Sequence, residues 1–476
     1  MGSPAPMIRF PLRARARSSQ SLTFVGDGGH FFSAPTAFLD RLQSDALTDA
    51  DMRFLAQEGH ATSDRGDLGW ITHAYGVAQR LAKVGPLDYL ILVPTLRCNL
   101  DCSYCQVSRA PEHAAGFDWS QDTLEAVLAM IDKLDTQSIK IEFQGGEPLL
   151  RPDLIHAVIE RCARFTEASF VICTNLMTLD GPSWALIDRP DVQISTSLDG
   201  PSDLHRKNRT RSTEATHRFH ANLTEITDRY GPGKVSALPT LDPNDLPGPA
   251  DLIQAYTDFG LTSIFLRPVN FQGFARKRHP GSRSFDEQWR TFYESFVSEI
   301  IRRNWSDRSQ VVEESYLSLC LRRIFKPGLD RHVDLRNPNP AGHDYVVVDY
   351  DGGLYPTDEA RMLTRSRVID LGIGHVSTGM DLRARDALNA HATNSFDPAC
   401  QRCAYQPFCG RDLIDDLSRY GRVDMPRHET AFCQRHLHIF DLAFSLIFSE
   451  DEATNYSVRR WLDLPGLLGP IGAHLQ

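Results

Sequence analysis

The chain lacks any apolar run long enough to cross a membrane. A spanning helix takes about 20 consecutive apolar residues, whereas the longest candidate, LHIFDLAFSLIF near residue 440, is shorter and carries Asp441 inside it. It reads as a buried helix, and no membrane partner is expected. Basic charge is also short: 51 Lys and Arg face 61 Asp and Glu, for a net charge of -10. A sequence-independent nucleic-acid binder needs a basic face to displace counterions from phosphate, so no nucleic-acid partner is expected. No apolar h-region follows the arginine-rich RFPLRARARSS, and a secretory signal is not expected. Cysteine is scarce, 10 in 476 residues. Such thiols point to a reducing cytoplasm and to metal ligation before disulfides. Repeats and low-complexity tracts are absent. What remains is the profile of an ordinary folded enzyme, 41% hydrophobic and 24% charged with a mean hydropathy of -0.32. At about 150 residues per domain, the length suits roughly three.

Residues 1–85 stand apart. Short β-like runs, SLTFVGDGG and HFFSAP, lead into two helix-like segments, AFLDRLQSDA and DADMRFLAQEG, a pattern that suits a small winged-helix-like module. Such a module either caps the neighbouring domain or takes a peptide as an added strand on an exposed sheet edge. From 86 to 282 strand and helix alternate. The β-branched runs are DYLILVP, SIKIEFQ, SFVICTN, DVQISTS, KVSALPTL and SIFLRPV. Between them lie amphipathic helices such as SQDTLEAVLAMIDKL, N-capped at Ser120, and RPDLIHAVIERCARF, with Pro152 in its first turn. Repeated β/α units predict an α/β fold with parallel strands and right-handed crossovers, its chemistry at the strand C-terminal ends. Residues 283–343 read as a helical bridge. Within 344–440, DYVVVDYDGGLYPTDE predicts a β-hairpin turning at Asp351, Gly352 and Gly353, ahead of a cysteine cluster. Residues 441–476 read as a helical tail.

The chemistry starts in LRCNLDCSYCQ, where Cys98, Cys102 and Cys105 follow the first strand with C-x3-C-x2-C spacing. Three thiolates leave a four-iron cluster one ligand short. Structural zinc, the alternative, usually pairs two C-x-x-C units or adds histidines, and neither accompanies this triplet. Cys400, Cys403, Cys409 and Cys433 form a second set that would close either a cluster or a tetrahedral zinc site. Cys162, Cys173 and Cys320 are expected as buried core thiols. The second strand ends in FQGGEP, whose glycines let backbone approach a ligand closely. The third ends in Thr174 and Asn175, and the fourth in STSLDGP, where Asp199 reads as a turn residue.

The triplet, FQGGEP, STSLDGP and the arginine of HRKNR together closely resemble radical S-adenosylmethionine (SAM) enzymes. The resemblance implies a partial (β/α)6 TIM-type barrel with a [4Fe-4S] cluster on Cys98, Cys102 and Cys105. SAM would sit on its open iron and be cleaved to a 5'-deoxyadenosyl radical. Carried over residue by residue, Gly145, Gly146 and Glu147 meet the methionine amino group, Ser197 the ribose, and Arg209 the carboxylate. Tyr104 covers the adenine region, or merely packs the loop. The N-terminal module then resembles a precursor-peptide recognition element. The C-terminal cysteines resemble the auxiliary-cluster half of a SPASM domain, which implies one auxiliary iron–sulfur cluster, of [4Fe-4S] type. Leu413 and Thr357 stand where a fuller SPASM domain places ligands of a second one, and neither can ligate it. Asp358, with Glu359 as its alternate, matches an aspartate that takes a proton from the substrate. Across CQVSR, KIEFQGGEPLL, VICTNL, STSLDGP and YPTDEARML the chain resembles the His-Xaa-Ser system radical SAM maturase, B type, over about residues 8 to 465. This implies a cytoplasmic oxidoreductase that modifies a ribosomally made precursor peptide with His-Xaa-Ser repeats, by hydrogen abstraction and net oxidation such as cross-linking. A paired second radical SAM protein and an external reductant such as flavodoxin or ferredoxin are implied partners. A sulfatase-maturase-like or cyclophane-forming peptide oxidase would share these motifs. From another class, the alternative is a degenerate partner scaffold that delivers peptide.

Overall fold

In the computed structural model, which describes residues 7–283, 287–326, 332–463 and 471–475, five of the six apolar runs line up in one sheet. Its order is Val235–Leu238, Val192–Ser197, Glu167–Cys173, Ser138–Gly145, Tyr89–Thr95, Tyr345–Val348 and Leu354–Tyr355. All neighbours are parallel except the last pair. Leu90, Ile91, Leu92 and Val93 are all buried, as in a strand covered on both faces. Helices fill the crossovers and begin where local chemistry directs. Ser120 Oγ accepts the Thr123 N–H at 3.1 Å, and Pro152 takes the first helical position of Pro152–Arg161, where its missing N–H costs nothing.

The sixth unit departs from the single strand expected of SIFLRPV. Pro239 has no N–H for the ladder, and it splits KVSALPTL. Val235–Leu238 stays in the sheet, while Thr240–Leu241 pairs with Arg267–Pro268. Ser263–Ile264 pairs separately with Glu313–Glu314. Glu314 ties this wall together: only 1% exposed, it accepts the N–H groups of Leu266 at 2.9 Å and Leu317 at 2.6 Å and the hydroxyl of Tyr293. The architecture is the expected α/β partial barrel.

Tyr345–Val348 and Leu354–Tyr355 form the expected hairpin, with Gly352 at φ +90° in its turn. The hairpin lies on the free edge of the first barrel strand, Tyr345 opposite Tyr89 and Val348 opposite Leu92. That covers an edge that would otherwise present unpaired N–H and C=O groups. Helix Asp358–Arg365 comes next, and Arg361 pins it. Fully buried, Arg361 reaches Asp358 at 2.7 Å and the equally buried Asp349 at 3.4 Å.

At the other end, Leu12–Ala16, Ser21–Gly26 and Phe31–Pro35 form an antiparallel sheet ahead of helices Thr36–Gln43 and Asp49–Gln57. The arginine-rich start supplies its first strand, and Arg15 pairs with Asp441 at 2.6 Å. The opposite edge is covered too. Helices Ala431–Ile447 and Glu452–Trp461 run through the tail expected to be helical, and near its end Ala473–His474 pair in parallel with Phe32 and Ser33 as a short strand.

These buried charges bear on stability in two measurable ways. Arg361→Met leaves Asp358 without a cation and Asp349 with Arg365 alone, and is expected to cost about 3–5 kcal/mol in chemical denaturation. Burial pushes the Glu314 carboxyl up to about 7, so the folded chain holds a proton that the unfolded chain releases above its ordinary value. The contribution of Glu314 is then fully present below about pH 4.5 and lost as pH rises through 7. Urea unfolding of Glu314→Gln between these limits should show a shallower pH slope than the unsubstituted protein.

Candidate functional site

The C-terminal ends of the barrel strands enclose a cleft of about 250 Å³ lined by Cys98, Cys102, Tyr104, Cys105, Gly145, Gly146, Ser197 and Arg209. The ends of three strands and the segments that follow them contribute these groups, so the fold brings together residues up to 111 positions apart. Glu147 is the expected residue that does not line the cleft. Its buried carboxylate turns inward, accepting the N–H of Leu149 at 3.0 Å and of Asn175 at 2.7 Å. Burial pushes that carboxyl up to about 7. Glu147 therefore braces the third loop.

The two glycines serve the protein's own backbone. The N–H of Gly146 donates to Thr95 C=O at 3.0 Å, and that of Glu147 to Arg97 C=O at 2.8 Å. A Cβ on Gly145, at φ +128°, would come within 2.2 Å of Thr95 O, and one on Gly146 within 2.2 Å of Arg97 O. Only glycine lets the second loop lie this close to the strand that delivers Cys98. Asn175 closes the chain of contacts. Its Nδ2 donates to Asn99 Oδ1 at 2.7 Å and lies 3.7 Å from Cys98 Sγ.

Arg209 stands on a π-helical turn, Arg206–Thr210, a local distortion frequent at functional sites. Within it, Asn208 C=O accepts the Ser103 N–H at 2.8 Å, which ties the turn to the cysteine loop. Arg209 Nη1 donates to Tyr104 Oη at 2.9 Å, and that hydroxyl donates to Asp199 at 2.8 Å. Asp199 is fully buried, and burial pushes its carboxyl up to about 6 against the pull of Arg209. The residue read as a turn former is thus the anchor of Tyr104 and, through it, of Arg209. Its place just past a strand's C-terminal end was the one signal for it. Cys173 also departs from expectation: it lines the cleft, and its thiol donates to Glu142 Oε1 at 3.3 Å. Cys162 and Cys320 are buried core thiols as expected.

The donor set fits the cofactors implied by the motifs. Three thiols leave a four-iron cluster an open position, and beside them stand a hydroxyl and a guanidinium suited to a ribose and a carboxylate. The second thiol set combines Cys400 and Cys403 on and after helix Pro398–Arg402, Cys409 in the next loop, and Cys433 in the first turn of Ala431–Ile447. Burial raises all four thiols, and Arg427, Arg15 and Arg13 oppose it from around the group. That cationic surround suits a set of thiolates.

Beyond the cleft lies a cavity of about 970 Å³ that shares Gln106, Gln144 and Arg267 with it and reaches Thr357, Asp358 and Glu359 beside the hairpin. Asp358 is already engaged there, its Oδ1 accepting from Arg361 Nε at 2.8 Å. Among the described residues Glu359 makes no ion pair, and its carboxylate is hydrogen-bonded only by its own backbone N–H.

Gly146→Ala is expected to push the second loop off the cysteine strand. Thermal denaturation should fall by the roughly 1–3 kcal/mol typical of overpacking, and iron retained after anaerobic reconstitution should drop. Gly233→Ala, where a Cβ meets nothing within 4 Å, should leave both near their starting values.

Residues 92–240 match the family model of the Radical SAM superfamily. An uncharacterized protein of Methanocaldococcus jannaschii is 32% identical over 120 residues, which are 25% of this chain and 40% of that protein. The GTP 3',8-cyclase of Chlorobaculum tepidum is 31% identical over 134 residues, 28% of this chain and 37% of the cyclase. The chain thus spans about two fifths of the length of these curated relatives. Among solved structures, anSMEcpe with bound AdoMet superposes with a TM-score of 0.58 at 16% identity, over 75% of this chain and 97% of that one. Streptococcus suis SuiB bound to the precursor peptide SuiA superposes with a TM-score of 0.50 at 12% identity, over 90% of this chain and 100% of SuiB. At these identities the likeness is one of fold. The thiol triplet and the glycine loop both lie inside the segment, residues 92–240, that matches the Radical SAM superfamily.

Proposed function

We propose that the protein is an iron–sulfur, SAM-dependent enzyme that oxidatively modifies a ribosomally made peptide, of the His-Xaa-Ser repeat type. The observation that carries this reading is the convergence of Cys98, Cys102, Cys105, Ser197 and Arg209 on one cleft that opens past Arg267 into the 970 Å³ cavity. A cavity of this size beside the cleft has room for a peptide segment. Two structures of similar fold hold peptides, SuiB with SuiA and anSMEcpe with the Cp18Cys peptide, and this supports the same substrate class here.

Cys98, Cys102 and Cys105 would hold the [4Fe-4S] cluster, with Ser197 and Arg209 placed for SAM. Cys400, Cys403, Cys409 and Cys433 would hold one auxiliary iron–sulfur cluster. When bound, these groups supply one-electron reduction, hydrogen-atom abstraction and an exit for the electron that substrate oxidation releases. The chain's own part is to position. Asp199 and Tyr104 hold the guanidinium of Arg209, and Glu147 and Asn175 steady the loop that carries Cys98. Asp358, the expected proton acceptor, is held by Arg361, and Glu359, its alternate, makes no ion pair on that wall among the described residues. An external reductant such as flavodoxin or ferredoxin and a paired second radical SAM protein complete the proposed system.

Anaerobic incubation with SAM, reductant and a precursor carrying His-Xaa-Ser repeats is expected to yield 5'-deoxyadenosine and a peptide lighter by two hydrogens. Cys98→Ala should abolish both. Cys433→Ala should leave deoxyadenosine formation and stop the mass change. Deoxyadenosine without any change in peptide mass would remove peptide oxidation from the proposal, and its absence would favour a scaffold.

A further inference from the structure

A third cavity, of about 430 Å³, adjoins the cleft and shares Glu142 and Arg267 with it. Its charges do not balance. Asp415 is paired with Arg419 at 2.8 Å and Asp334 with Arg435 at 3.4 Å, which leaves three carboxylates without a cation. Glu142 accepts only neutral donors, Tyr89 Oη at 2.6 Å, Gln144 Nε2 at 2.5 Å and the Cys173 thiol at 3.3 Å. Asp412 accepts only the backbone N–H groups of Ile414 at 2.8 Å and Asp415 at 3.2 Å. Glu359, on the wall shared with the 970 Å³ cavity, is hydrogen-bonded only by its own backbone N–H and makes no ion pair among the described residues. Against them stands Arg267 alone, at the meeting point of all three cavities.

The chamber is short of donors as well as of positive charge. Gln272 lines it at 1% exposure, and its amide oxygen has no hydrogen-bond donor among the described residues. A buried acceptor left unpaired costs free energy. Burial and neighbouring carboxylates push Glu359 up to about 7 and Asp412 well above the usual carboxylate range, the direction taken by acids whose counter-charge is missing. An anionic or apolar group entering here would leave these acceptors buried and unpaired.

We infer that this chamber receives a cationic side chain of the substrate, an ammonium or guanidinium, held by Glu359, Asp412 and the amide oxygen of Gln272. An ammonium brings three donors and a guanidinium five, and bonds to ionised carboxylates are the strong ones. The inference rests on the peptide reading and deepens it: the modified segment carries a basic residue seated beside the cleft, and Glu359 and Asp412 are specificity-determining residues.

The test uses the anaerobically reconstituted protein with SAM and measures binding, by calorimetry, of short peptides identical except for a central lysine, arginine, norleucine or glutamate. The lysine and arginine peptides should bind at least tenfold more tightly than the norleucine peptide. The double variant Glu359→Gln, Asp412→Asn should shrink that preference to less than twofold, and Glu359→Asp, which keeps the charge, should retain it. Equal affinity for the norleucine or glutamate peptide, or a preference unchanged in the double variant, would overturn the inference. n-Butylammonium separates the two levels. If it binds the unsubstituted protein but not the double variant, while none of the peptides binds, the cation chamber stands and the peptide reading falls. If neither it nor any peptide binds, the chamber inference falls.

Discussion

Two backbone hydrogen bonds, Gly146 N–H to Thr95 C=O and Glu147 N–H to Arg97 C=O, seat the second β/α loop on the strand that delivers the first thiol. Neither bond forms if a side chain stands at 145 or 146, because each Cβ would collide with a main-chain carbonyl. Once the loops meet, Glu147 is carried inward to accept the Asn175 N–H, and Asn175 reaches back to Asn99 and Cys98. Three loops from three strands are thus linked in a closed circuit of short polar contacts. The geometry of the thiol triplet is set by this circuit as much as by its own spacing.

The second organising element is the hairpin on the barrel's first strand. A parallel sheet left open at Tyr89–Thr95 would expose a row of unpaired backbone groups, and Tyr345–Val348 fills that row. Because the hairpin and helix Asp358–Arg365 are fastened there by the buried Arg361, Asp358 and Glu359 become walls of the cavity that adjoins the thiol-lined cleft. The C-terminal part of the chain completes the chamber in front of the barrel instead of sitting beside it.

Charge placement obeys the same logic of burial. Arg15 and Arg427 sit where the second thiol set would carry negative charge, and Arg15 is itself held by Asp441 and indirectly by Tyr405, whose hydroxyl donates to the same carboxylate at 2.7 Å. Arginines in the first strand, which in the sequence look like an unattached basic start, thereby join the N-terminal sheet to the cysteine-rich end. Where burial finds no counter-charge, as at Glu359 and Asp412, the carboxyls rise instead.

Local patterns are legible in the residues themselves. The β-branched runs form strands because period and composition act within a few residues, Ser120 is an N-cap because its hydroxyl reaches the N–H three residues on, and the triplet spacing is local by nature. The break at Pro239 is visible as a residue but not as a change of partner for Thr240–Leu241, since pairing depends on which strand lies near. Likewise Asp199, Cys173 and the strand Ala473–His474 owe their places to groups far along the chain. Sequence alone determined which residues could ligate, donate or turn, because those are properties of single side chains and short windows. Tertiary structure decided which of them share a cavity, which carboxylates keep a partner and which strand covers the open edge, because burial and contact across long separations exist only once the chain has folded.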